Sequence, residues 1–169
     1  MPIAVTAKLD QALSDPVERL SLAIKARYPD FVPQPDYPPH ITLAVMRENV
    51  PSDELIKLLG KITLGVDRFP VVTSHLGIFP GQPSYIFRAP VVTKPLLELH
   101  AMVAAALPAG VMHPHYEIGC WVPHITLAAV NQTIDDTIAN GLDDFQTYRG
   151  HVTDIEVLRF PPVQVLARL

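Results

Sequence analysis

Apolar and polar positions along this chain switch between a period of about two and a period of about 3.6, and each switch predicts an element. Residues 3–9, IAVTAKL, read as a short strand. Asp15 then precedes Pro16, with Glu18 three residues after the aspartate. A proline suits the first helical turn, where its missing N–H would find no partner anyway, so a helix is predicted to begin at 15–16. Val17, Leu20 and Ile24 form its apolar stripe, and it should stop before Pro29. The proline-rich loop PDFVPQPDYPP leads into HITLAVM, an alternating β-branched strand entered through proline. Ser52, Asp53 and Glu54 open a second helix to about Leu59, residues 69–79 read as a strand, and FPGQPS turns the chain.

The same order then recurs. YIFRAPV, at 85–91, is a strand; Thr93, Lys94 and Pro95 open a helix with Leu96, Leu99, Val103 and Leu107 on one face. The loop PAGVMHPHYEIG leads into a second HITLA strand, and Thr133 with Asp136 forms a capping pair for a helix to about Leu142. Strands near 149–159 and 163–168 close the chain. Both halves read strand, helix, PHITLA strand, helix, strand. PHITLA itself stands at 39–44 and again at 123–128, its histidines 84 positions apart (40 and 124) in a chain of 169. This predicts an internal repeat of one supersecondary unit, about 1–80 and 84–169, within a single domain spanning 1–169. Two such units commonly pack about a pseudo-twofold axis, with equivalent residues facing each other.

Residues two apart on a strand share a side. His40, Thr42 and Ala44 therefore share one face and Ile41, Leu43 and Val45 the other; His124, Thr126 and Ala128 stand likewise against Ile125 and Leu127. The aliphatic face belongs in a core. The opposite face offers an imidazole, a hydroxyl and a small residue. A lone histidine on a strand is most often structural, but two matched His-x-Thr strands at equivalent places favour one shared site. Hydrolysis of a phosphodiester needs a base for water and an acid for the leaving oxygen, and histidine serves as either near neutral pH. The hydroxyls of Thr42 and Thr126 suit non-bridging phosphate oxygens, and no metal or other cofactor is needed.

Composition narrows the partner. Charged residues make up 18% of the chain, against about 25% in an average protein, and apolar residues 49%. The formal net charge is −4, and the 13 Lys and Arg do not cluster, which argues for a nucleotide or strand end rather than a long duplex. The single cysteine, Cys120, has no partner for an internal disulfide, and no apolar run reaches bilayer length. A cytoplasmic monomer without membrane association is expected. Tyr37 and Trp121 each stand three residues before a motif histidine, where a ring could stack on a base or anchor the core; Phe79 and Tyr85 are weaker candidates. His113 and His115 have H-x-H spacing but lack the three or four ligands of a zinc site, and Cys120 is expected to be buried and inert. His75 and His100 read as surface residues of a strand and a helix, His151 has no evident partner, and Arg88 and Arg149 read as strand surface residues.

Two H-x-T-hydrophobic motifs, PPHITLAV and WVPHITLAAV, in a chain of this size resemble the two-histidine (2H) phosphoesterase superfamily, which includes LigT-like 2′-5′ RNA ligases and cyclic nucleotide phosphodiesterases. HLGIFPGQPSYIFRAPV resembles that family's strand, Phe-Pro turn and strand, and LLELHAMVAAAL its following helix. The resemblance implies a bilobal, pseudo-twofold α+β fold with antiparallel sheets lining a central cleft and helices outside. It implies His40 and His124 as acid and base, and Thr42 and Thr126 as phosphate ligands. Family ligases often carry a basic residue after the second motif; here the chain continues LAAVNQ. Hydrolysis of a cyclic (2′,3′-type) or 2′-5′ phosphodiester is therefore expected ahead of RNA joining, with a non-turning nucleotide or RNA-end binding module as the alternative.

Overall fold

The computed structural model describes residues 1–27, 30–46, 50–131 and 146–169. In chain order the described elements are β1 (Ile3–Leu9), α1 (Gln11–Arg27), β2 (Phe31–Val32), β3 (His40–Val45), α2 (Ser52–Ile62) and β4 (Phe69–Phe79), followed by β5 (Ser84–Pro90), α3 (Lys94–Ala106), a 3₁₀ turn (Pro114–Tyr116), β6 (Ile125–Val130), β7 (Arg149–Arg159) and β8 (Gln164–Arg168). The helix expected from Thr133 to Leu142 lies outside the described residues.

Every strand pairing is antiparallel, in the order β2-β6-β5-β4-β7-β1-β3, with β8 on the free side of β7. Matched by place in each half, β3 corresponds to β6, β1 to β5 and β7 to β4, so the central six strands read alike from either end. β4 is shared between two sheets. Its residues 69–72 pair with β7, and from Thr73 onward it pairs with β5. One lobe is thus β3-β1-β7-β8 and the other β2-β6-β5-β4. The third strand of each half sits in the lobe built on the other half. The helices cross over too: α1 packs against β6, where the Ser21 hydroxyl donates to the Leu127 carbonyl at 2.6 Å, and α3 packs against β3.

Strand alternation sorts the motif side chains as their polarity requires. Ile41 and Leu43 are fully buried and His40 and Thr42 half-buried; Ile125 and Leu127 are buried and His124 and Thr126 half-buried. Each such aliphatic side chain contributes about 1.5–3 kcal/mol on leaving water. The core they join takes in Val5, Leu13, Leu99 and Val157, so both lobes share one interior.

One helix boundary departs from the sequence expectation. α1 begins at Gln11, not at Asp15–Pro16, and Pro16 lies inside it. The cap is Asp10, whose carboxylate Oδ1 accepts from the Leu13 N–H at 3.2 Å. Pro16 leaves the Ala12 carbonyl without its usual i+4 donor. Tertiary packing fixes this start: a methyl group on Gly150 of β7 would overlap Asp10 and Leu13, so only glycine lets the first turn lie on the strand. The short β2 was expected as loop; Phe31 and Val32 pair with Val130 and Ala129 at the edge of β6.

Candidate active site

Each motif histidine is preceded by a proline, and each is held by the carbonyl two residues earlier. His40 Nδ1 donates to the Pro38 carbonyl at 2.8 Å, and His124 Nδ1 to the Val122 carbonyl at 2.8 Å. A residue before proline is confined to extended backbone, which stiffens both segments. A carbonyl only accepts, so the neutral imidazole must carry its proton on Nδ1 and its lone pair on Nε2. Among the described residues neither Nε2 has a hydrogen-bond partner. The two rings thus have the same tautomer and the same free nitrogen. Burial lowers the pKa of both below the ordinary histidine range, against the upward pull of the carbonyl bonds. The charge of His124 lowers His40 further, which places the two rings within electrostatic reach of each other.

The wall around His40 is polar. Strand register puts Thr42 opposite Thr6, Thr6 opposite Glu156 and Glu156 opposite Arg168, with His40 opposite Lys8 and Lys8 opposite Asp154 one row on. Paired residues share a face, so these side chains occupy the motif side of the sheet. Glu156 is 1% exposed. Its Oε2 accepts from the Tyr37 hydroxyl at 2.6 Å, its Oε1 from Arg168 Nε at 2.8 Å, and Lys8 Nζ stands 3.9 Å from Oε1. The Tyr37 hydroxyl also meets Thr6 Oγ1 at 3.0 Å, and its ring lies edge-on to His40 with centroids 4.7 Å apart. Burial and the Glu156 carboxylate push the Tyr37 pKa up, so it remains a donor.

The wall around His124 is aromatic. Phe79 and Phe87 stack at 4.3 Å, and both present to the His124 ring at 5.0 and 5.6 Å, edge to face. Gly77 makes room: a methyl group there would overlap the Phe87 ring. Thr126 is the register partner of Phe87. Tyr85 shares the strand side of Phe87, is exposed, and lies near enough to Tyr116 to raise its pKa, after burial, which is the larger cause.

Of the residues singled out from sequence, His40, Thr42 and Tyr37 stand on the polar wall, and His124 and Thr126 beside the aromatic one. The Thr42 hydroxyl lies near the Tyr116 phenol and lowers its pKa against the larger effect of burial. Trp121 ties the halves together: its indole N–H donates to the Thr42 carbonyl at 3.0 Å, and its ring stacks on His100 at 4.0 Å. Four expectations are corrected. His100 is not a surface residue but 4% exposed, its Nε2 bonded to the Tyr116 carbonyl at 2.8 Å; a helix face that meets Trp121 has no solvent side. Cys120 is exposed, because the loop carrying it runs outside the core. Arg88 is fully buried on the opposite side of β5 from Phe87, where it bonds the Thr73 hydroxyl and the Gln146 carbonyl and lies over the Tyr148 ring. Arg149 is exposed. His151 does have partners: its Nδ1 is 3.0 Å from the capping carboxylate of Asp10, which also holds Arg68 at 2.6 Å. His113 and His115 lie together, ring centroids 4.9 Å apart, and no group of three metal-ligating side chains gathers among the described residues.

Glu156, Lys8, Thr6 and Phe87 escaped the sequence reading. Their signal was present: IAVTAKL carries Thr6 and Lys8 two apart, and TDIEV carries Asp154 and Glu156 two apart, each a polar face on an otherwise apolar strand.

A lobed antiparallel fold with a histidine on each facing strand defines a class, and the comparisons agree with it. The family model described as the 2′-5′ RNA ligase superfamily matches residues 9–161. The chain belongs to that superfamily, the 2H phosphoesterases. Among solved structures it is similar to TT0787 of Thermus thermophilus (17% identity, TM-score 0.77, covering 100% of this chain and 97% of that one). It is also similar to E. coli LigT complexed with NADP+ (15%, 0.67, 100% and 98%) and to Kluyveromyces marxianus Usb1 (14%, 0.53, 98% and 97%). No curated protein sequence matches it. No described helix is long and apolar enough to cross a membrane.

Proposed function

We propose that the protein is a phosphoesterase that hydrolyses a cyclic (2′,3′-type) or 2′-5′ phosphodiester of a nucleotide or RNA end without a metal, by acid-base catalysis between His40 and His124. The observation that carries this reading is the matched pair of imidazoles, each held through Nδ1 by the carbonyl two residues back and each presenting Nε2. One ring takes a proton from water as its oxygen bonds to phosphorus. The other gives a proton to the ribose oxygen as the P–O bond breaks. A cyclic phosphate thereby opens to a phosphomonoester and a free hydroxyl, and proton exchange with solvent resets the pair. Thr42 and Thr126 offer hydroxyls to the non-bridging oxygens. The aromatic rings by His124 suit the nucleoside, as π-faces accept any base. Structures of LigT with 3′-AMP and ATP support nucleotide phosphates as the ligand class.

The test is a panel of 2′,3′-cyclic nucleotides and 2′-5′-linked dinucleotides assayed with chelator present. Turnover of at least one substrate, lost in His40→Ala and in His124→Ala, is expected. Turnover that survives both substitutions would end the assignment, and tight nucleotide binding with no turnover would make the protein a binding module instead.

A further inference from the structure

The two motif strands are irregular at the same place. On β3, Thr42 faces Thr6 of β1 and Ala44 faces Val5, so Leu43 is an extra residue. On β6, Thr126 faces Phe87 of β5 and Ala128 faces Ile86, so Leu127 is extra. A β-bulge bends its strand, re-aims the side chain beside it and disrupts the ladder locally. Here the side chain beside each bulge is the motif threonine. A carbonyl left unpaired in a protein interior is costly, so the group that satisfies it is informative.

Both bulges are held by a side chain from the other half of the chain. Trp121, three residues before the second motif histidine, donates its indole N–H to the Thr42 carbonyl at 3.0 Å. Ser21 of α1 donates its hydroxyl to the Leu127 carbonyl at 2.6 Å. The first brace is itself anchored. The indole lies parallel to the buried His100 ring at 4.0 Å, and His100 Nε2 donates to the Tyr116 carbonyl at 2.8 Å. β3 ends the strand order, so its outer edge has no strand partner among the described residues. The segment that carries Trp121 binds that edge again at Val45, whose carbonyl accepts from the His113 N–H at 2.8 Å. Ser21 rides on a helix already packed against β6. Resting on the phosphoesterase reading, we propose that Trp121 and Ser21 are positioning residues. Each clamps the bulged motif strand of the other half and so fixes that strand's threonine hydroxyl toward the phosphate: Trp121 acts on Thr42, and Ser21 on Thr126. Neither half sets its own phosphate ligand. The indole, its N–H on a strand and one face on His100, is a brace rather than a platform for a base.

The threonine methyl resonances of the full chain, followed by NMR as inorganic phosphate is added, read this without turnover. Both the Thr42 and the Thr126 methyls should shift in the unmodified protein. Trp121→Phe keeps a ring on His100 and removes the N–H; it should shrink the Thr42 shift and leave that of Thr126. Ser21→Ala, the milder change, deletes only a hydroxyl and should do the reverse. On a 2′,3′-cyclic nucleotide each substitution should lower kcat about tenfold with KM little changed, as a small misplacement of a phosphate ligand does. In a Thr42→Val background Trp121→Phe should cost nothing further, whereas in a Thr126→Val background it should cost the same factor again; Ser21→Ala should show the opposite pattern. A purely structural brace would lower the melting temperature and give equal losses on both backgrounds. Equal losses, or threonine shifts unchanged by either substitution, overturn the proposal, as do threonine methyls that ignore phosphate in the unmodified protein. The crossed pattern of shifts without hydrolysis of any cyclic or 2′-5′-linked substrate would overturn the phosphoesterase reading alone.

Discussion

The two motif strands spell the same six residues, but the walls that receive them share almost nothing. His40 faces a hydroxyl, an ammonium and a screened carboxylate in a hydrogen-bonded row. His124 faces two stacked phenyl rings. What the hexapeptide controls is local: strand direction, the Nδ1 bond to the carbonyl two residues back, and the tautomer that follows. What it leaves open is the electrostatic setting, which comes from β1, β7 and β8 on one side and from β4 and β5 on the other. A duplicated sequence thus gives a pair of rings that are alike in tautomer and local geometry and are set among different neighbours.

The comparison breaks most visibly at the rings themselves. His40→Ala and His124→Ala should each lower kcat about 10²-fold or more on a 2′,3′-cyclic nucleotide. The double variant should be little worse than either alone, because the two act as a unit. Independent, multiplying losses would show that the rings do not cooperate.

The aromatic wall is the next target. Phe87→Ala removes a buried ring packed on Phe79, His124 and Gly77 and should cost about 3 kcal/mol in urea unfolding. Gly77→Ala, which drives a methyl group toward the same ring, should destabilise in the same direction. The loss of cover in Phe87→Ala should also raise the His124 titration midpoint, read by NMR, toward the ordinary value and leave His40 unmoved. If both midpoints shift together, the walls are not separate environments.

On the polar wall, Tyr37→Phe keeps the ring beside His40 and deletes only the hydroxyl on Glu156. A stability loss of about 1–2 kcal/mol is expected, the usual range for a hydrogen bond to a charged group, with no change at His124. No loss at all would mean that water replaces the hydroxyl without cost.

The smallest effect is shared by both sides. His40, His124 and the structural His100 all have pKa values lowered by burial. Each therefore binds a proton more readily unfolded than folded. The stability that each contributes is complete above about pH 6.5, the unfolded value, and is lost as pH falls through the lower folded value. The melting temperature should decline on acidification below about pH 6.5. The decline should be shallower in the His40→Ala, His124→Ala double variant, where only His100 remains. An equal slope in that variant would show that other groups govern acid stability.

Most of the architecture was legible because it is written in period and repetition. The alternation of HITL separates core from cleft, and a second copy fixes the pairing of the halves; Ala44 and Ala128, expected on the open face, are instead buried in the core, because a β-bulge follows each threonine. The errors fall where distant segments decide. The helix signal at Asp15–Pro16 was locally sound, but packing on Gly150 moved the start to Gln11, capped by Asp10. Arg88 looked like a surface cation because nothing nearby in sequence announces Thr73 and the Gln146 carbonyl. His100 was read as exposed for the same reason, its stacking partner Trp121 being 21 residues away. The site showed the same division. The histidines and threonines lie in the motif, whereas Glu156 meets Tyr37 across 119 residues of chain, and only sheet register brings them together.

The exchange of third strands between the lobes has a consequence for autonomy. A fragment ending at the Phe79–Ser84 turn would hold β1 and β3 without the strand that flanks them, and it would carry β4 with no sheet to enter. The remaining fragment would have the mirror-image deficiency. Neither stretch is a self-sufficient folding unit. Expressed as two polypeptides, they should recover a native state only by complementing each other, with each lobe completed by a ribbon from the other fragment.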